Sequence, residues 1–127
     1  MDNSKDVMQS PLFQTVAGLA FESIMVTKAT ADHKNSVIIY VNQAFSNLTG
    51  YSADEVIGKT PGLLQGPETE RGVKERLSED LKNNRIFHGN TINYRKDGSA
   101  FTIEWKIAPV MDGDVTTHYV AVQRAID

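Results

Sequence analysis

"SAFTIEWKIAPVMDGDVTTHYVAVQRA", residues 99–125, decides how the rest of the chain is read. Asp112-Gly113 separates two runs of alternating apolar and polar residues, the strongest short-range signal for a β-hairpin. Side chains point to opposite faces along a strand, so Phe101, Ile103, Trp105 and Ile107 share one face, and Thr102, Glu104 and Lys106 the other. On the second run Tyr119, Ala121 and Gln123 fall on the inner face, with Val120 and Val122 outside. Upstream, "HGNTINYR" (88–95) is another strand, joined through "KDG" (96–98), which makes a three-stranded meander. Its Thr91 and Asn93 lie on the same inner side.

Two more strands are expected near the start, "FESIMVTKA" (21–29) and "SVIIYV" (36–41), paired across the polar turn "TADHKN" (30–35). Short helices fill the middle. Ser10-Pro11 places a capping hydroxyl before a proline in the first turn, opening a helix from residue 11 to about Gly18. Asn42 caps "QAFSNLT", with Gly50 as the stop. Ser52 and Glu55 form a capping box over "ADEVI". Thr60-Pro61 repeats the cap-plus-proline pattern and starts a turn through Leu63 and Leu64. A longer helix runs from about Thr69 to Leu81, burying Val73, Leu77 and Leu81 and pairing Glu70 with Lys74 one turn on. The class is α+β.

At 127 residues the chain makes one domain. A net charge of -3 with only Arg95-Lys96 adjacent gives no basic patch for nucleic acid or a membrane surface. The absence of cysteine excludes disulfides, thiolate metal sites and thiol catalysis, and fits a reducing compartment. The start "MDNSKD" is acidic, and Gln14, Thr15 and Gly18 interrupt the apolar run that follows, unlike a signal peptide. A cytoplasmic location is expected. Gly58-Lys59-Thr60 resembles the end of a P-loop, but Ala53 stands where that motif needs glycine. His33, His88 and His118 are too scattered for a metal site. No enzyme emerges.

The inner face poses one chemical problem. Asn93 and Gln123 direct primary amides into an otherwise apolar space, and Gln65 arrives from the helical side. A buried amide left unpaired costs about 1–3 kcal/mol. A flat heterocycle edged by carbonyl and N–H groups would satisfy several amides at once. They could equally bond to each other, to backbone or to buried water, and the spacing leaves both readings open.

"VIIYVNQAFSNLTGYSADEVIGKTPGLLQGPET" (37–69), then "NYRKDG" (93–98) and "VAVQ" (120–123), together resemble a PAS domain of the LOV type. The resemblance covers about residues 21–127, with 1–20 as a flanking helix or cap. It implies a five-stranded antiparallel sheet with short helices on its concave face, holding flavin mononucleotide and responding to blue light. Gln65, Asn93 and Gln123 match flavin-contacting positions of that family. Thr60 stands where the family has asparagine, and Ile103 where it has a second ring-edge asparagine; Leu64 completes the expected set. The photoreactive cysteine falls at Pro61, so no thiol adduct can form. Two phosphate-gripping arginines fall at Gly62 and Ser78, which leaves Lys59, Lys74 or Arg76 to compensate.

The resemblance implies a sensory module of a larger signalling protein, carrying a non-covalent flavin (FMN or FAD) for redox or light sensing. Trp105, Tyr40, Tyr51, Tyr94 and Tyr119 are its candidate electron donors. Residues 69–82 contain no histidine to ligate haem, and no metal is expected. The alternative is a module without cofactor, or with another ligand, that works by dimerisation. Either way a homodimer through the outer sheet face and the N-terminal helix is expected. The output domain expected downstream is a cyclic-dinucleotide enzyme or histidine kinase.

Overall fold

The computed structural model describes residues 7–30, 36–69 and 71–126, with only the backbone of Arg71 included. Helix α1 spans Pro11–Leu19, strand β1 Ser23–Lys28 and β2 Val37–Val41. Two short helices follow, α2 at Gln43–Thr49 and α3 at Ala53–Val56, then a 3-10 turn at Pro61–Leu64 and helix α4 at Arg71–Lys82. Strands β3 (Phe87–Tyr94), β4 (Ala100–Asp112) and β5 (Val115–Ile126) close the chain. All pairings are antiparallel in a five-stranded sheet, as the resemblance implied, and the strands lie in the order β2-β1-β5-β4-β3.

The β4–β5 turn is the two-residue loop Gly113-Asp114, with Asp112 opposite Val115 and Gly113 at φ +61°, where glycine carries no steric penalty. The hairpin fixes the register of both strands and therefore the inner face. Phe101, Ile103, Ile107, Tyr119, Ala121 and Gln123 are all buried there. Helices α2 to α4 cover that face, closing a core of Met25, Ile38, Val41, Phe45, Val56, Leu64, Leu81, Phe87, Ile107, Tyr119 and Ala121.

The caps explain most helix starts. Ser10 Oγ accepts from the Phe13 amide at 3.2 Å, and Asn42 Oδ1 from the Phe45 amide at 3.0 Å. The Ser52–Glu55 box makes both reciprocal bonds. Thr60 departs from expectation: it precedes the 3-10 turn but makes no side-chain cap bond. Pro61 alone presets that turn, since its ring fixes φ near the helical value. Helix α4 begins at Arg71 rather than near Thr69, because Thr69 Oγ1 is used elsewhere, donating to the Ile92 carbonyl at 2.7 Å. The expected Glu70–Lys74 pair and the 31–35 turn with His33 lie outside the described residues.

Helix α1 packs on the outer side of the sheet. The Phe13 ring meets Tyr40 edge-on at 4.8 Å between centroids, and Ala17 is buried. Leu12, Val16 and Leu19 remain exposed along its other side.

Candidate functional site

Between the sheet and the helices lies a chamber of two adjoining lobes. The amide lobe, about 50 Å³, is bounded by Leu64, Thr69, Val73, Lys74, Thr91, Asn93 and Gln123. The hydroxyl lobe, about 280 Å³, is bounded by Thr27, Ser36, Thr60, Gly62, Leu81, Ile107, Tyr119 and Ala121. Met25, Pro61, Gln65, Leu77 and Trp105 line both. Together they reach the lower end of the range for small-molecule sites, about 300–1,000 Å³.

Each wall follows from local sequence. Alternation on β3 and β5 aims Thr91, Asn93 and Gln123 inward. The proline-set turn carries Leu64 and Gln65 to the opposite side. Residues 65–69 are then pinned over the amide lobe: the Gly66 amide donates to Thr69 Oγ1 at 3.1 Å, and the Glu68 amide to the Tyr94 hydroxyl at 3.0 Å. Five of the six residues expected from sequence thus line the chamber: Thr60, Leu64, Gln65, Asn93 and Gln123. Ile103 does not. It is fully buried in the packed sheet face, opposite Thr91 on the neighbouring strand.

Polar groups in the chamber are unevenly satisfied. Gln123 Oε1 accepts from the Ser23 hydroxyl at 3.1 Å, so part of that amide is paired within the protein. Among the described residues, three buried side-chain polar atoms lack a hydrogen-bond partner: Ser36 Oγ, Thr91 Oγ1 and Trp105 Nε1. All three residues line the chamber, Ser36 in one lobe, Thr91 in the other and Trp105 in both. Each orphaned group costs about 1–3 kcal/mol unless a guest meets it. Two hydroxyls that donate or accept, plus one N–H that only donates, suit a planar guest carrying acceptors and donors around its rim. A flavin ring has that chemistry.

Charge is sparse. Lys74 is the one charged side chain among the residues that bound either lobe. The sequence left three cations to hold an anionic tail, and the geometry separates them. The Arg76 guanidinium donates to the His88 carbonyl at 3.0 Å and lies 4.9 Å from the Phe87 ring centroid. It fills a niche that exists because residue 89 is glycine; a Cβ there would overlap the guanidinium. Lys59 lines neither lobe, and Ser78 is exposed on α4. Of the five aromatic residues considered as electron donors, only Trp105 and Tyr119 reach the chamber. Burial pushes the Tyr119 phenol up, so it is protonated at neutral pH.

Sequence reasoning placed Thr91 and Trp105 on the inner face but named neither among the residues bounding the ring, Trp105 entering only as a candidate electron donor. Alternation was the signal that could have found them. Nothing local marks Ser36, which the β1–β2 pairing brings to the hydroxyl lobe.

An open antiparallel sheet with short helices over one face, enclosing a polar-lined chamber, is the build of a ligand-holding sensory domain. The chain belongs to the PAS domain family, whose model matches residues 22–126. It is 30% identical over 117 residues to a blue-light photoreceptor of Listeria innocua, covering 91% of this chain and 46% of that protein. It is 34% identical over 117 residues to a nitrogen fixation regulatory protein of Klebsiella oxytoca, covering 91% of this chain and 22% of that one. Among solved structures, the LOV domain of a blue-light activated histidine kinase from Erythrobacter litoralis superposes with a TM-score of 0.75 at 31% identity, covering 83% of this chain and 95% of that one. The chain therefore spans less than half the length of these curated relatives. Among the described residues no helix is long and apolar enough to cross a membrane, and no acidic or histidine cluster could hold a metal ion.

Proposed function

We propose that this domain is the signal-input module of a larger signalling protein, holding FMN or FAD non-covalently in the two-lobed chamber. It responds to redox state or light without a cysteinyl adduct, Pro61 standing where the thiol would be. The observation that carries this reading is the coincidence of the three orphaned polar atoms with the chamber wall. Thr60, Leu64, Gln65, Asn93 and Gln123 would bound the ring. When bound, the flavin supplies light absorption and electron acceptance. The protein supplies hydrogen-bond partners, exclusion of water and, through Lys74, one positive charge for an anionic tail. An active-site nucleophile has no part in this, and the domain is not read as an enzyme.

Relatives that form part of a histidine kinase support an output domain of that kind in the full-length protein; a cyclic-dinucleotide enzyme is the other candidate. A cytoplasmic location fits the lack of cysteine.

A second reading is favoured by the small amide lobe and by the exposed stripe Leu12, Val16 and Leu19 on α1. Under it the domain works without flavin, through a homodimer formed by α1 and the outer sheet face. One measurement separates the two. The purified protein is examined for oxidised-flavin absorption, and any released ligand is identified by mass spectrometry. A yellow protein releasing FMN or FAD supports the first reading. A colourless protein that takes up neither on titration leaves the second.

A further inference from the structure

Trp105 occupies an unusual position in the chamber. It lines both lobes, its indole N–H is buried without a partner, and its ring leans on Phe87 at 4.9 Å and 56°. An indole N–H is a donor only, so burying it unpaired is a cost that a neighbouring acceptor would remove. On the same inner face, two residues earlier along β4, Ile103 offers nothing polar. The strand advances about 3.3 Å per residue, which puts the indole about 7 Å along β4 from Ile103. The amide lobe alone is also too small for a three-ring heterocycle, so a guest of that size must extend past the indole into the hydroxyl lobe.

We propose that Trp105 is the residue that positions the ring of the bound heterocycle: its N–H donates to a ring acceptor at the junction where the ring passes from one lobe to the other. This rests on the flavin reading above. The indole donor sets the register of the guest along β4. Phe87, fully buried behind it, fixes the indole plane.

The chain has one tryptophan, so a substitution there removes all indole at once. The test strips any co-purified ligand and measures riboflavin and FMN binding by equilibrium dialysis, together with the emission of the bound flavin. Trp105→Phe keeps an aromatic wall and removes only the N–H and the electron-rich indole. Affinity for both flavins should fall about 2- to 12-fold, the worth of one neutral hydrogen bond. Emission of the bound flavin should rise several-fold, since an indole in contact with an excited flavin quenches it. A merely structural role would not produce that rise while the melting temperature holds. Should Trp105→Phe destabilise the fold, Trp105→Met, which also lacks a hydrogen-bond donor and an electron-rich ring, gives the same comparison. Unchanged affinity and unchanged emission in a variant that still binds flavin would overturn this inference and leave the flavin reading standing. Failure of the unsubstituted protein to bind either flavin would overturn both.

Discussion

Asn42, where β2 meets α2, and Asn93, on β3, are buried almost equally, at 3% and 8% exposure, yet are used in opposite ways. Asn42 spends its whole amide on the protein. Its oxygen accepts from the Ile24 and Phe45 amides at 2.9 and 3.0 Å, and its nitrogen donates to the Ala17 and Glu22 carbonyls at 2.8 and 3.1 Å. One side chain thereby ties α1, β1 and α2 together. Asn93 faces the amide lobe and makes no side-chain hydrogen bond with any described residue. A buried amide bonded on every side marks architecture, and one that opens on a cavity marks a place for a guest.

Substitutions can break that contrast. Asn42→Ala should cost the most, about 2–4 kcal/mol in urea unfolding, combining a lost cap with backbone groups left unpaired. A loss under 1 kcal/mol would mean that water replaces the amide and that the junction is no anchor. Asn93→Leu should leave the stability of the ligand-free protein within about 1 kcal/mol while lowering FMN affinity about tenfold, equivalent to 1.4 kcal/mol. Unchanged retention would place the ring elsewhere. Thr91→Val sharpens the point, because removing an orphaned hydroxyl should stabilise the ligand-free domain by up to about 1 kcal/mol while weakening FMN binding. Loss of stability instead would show that the hydroxyl is already paired.

The smallest effect belongs to the outer face, where charges are exposed and partnered. Glu104 accepts from His88 at 3.0 Å and from Arg124 at 2.8 Å, and these bonds hold its carboxyl below the usual range. A depressed folded pKa adds stability above the ordinary carboxylate value and loses it as pH falls through the depressed one. The difference in melting temperature between wild type and Glu104→Gln should therefore be small at pH 7, shrink in acid and weaken with salt. A difference that grows below pH 4 would contradict this.

The fold was legible because its punctuation is local. Asp112-Gly113 sets the meander, and Ser10, Asn42 and Ser52 cap as their positions predict, so strands and helices fall into place. Thr60 misled, since a cap-plus-proline pattern fixes a turn without guaranteeing that the hydroxyl bonds. The candidate site was half legible. Alternation aims Asn93 and Gln123 inward, but whether an amide finds a partner depends on groups distant in sequence, such as Ser23 against Gln123. Arg76 could not be assigned from spacing, because its place on β3 depends on the niche at Gly89. The division of the chamber by Trp105 is a matter of volume, which no periodicity records.

Pro61 and its neighbours in the chamber carry a consequence for timing. Among the described lining residues there is no thiol, imidazole or carboxylate, and Lys74 is the one that carries charge. Under the flavin reading, how long the guest stays is set by shape, hydrogen bonding and the Lys74 charge. On that reading the resting state returns without any bond to the protein having to break.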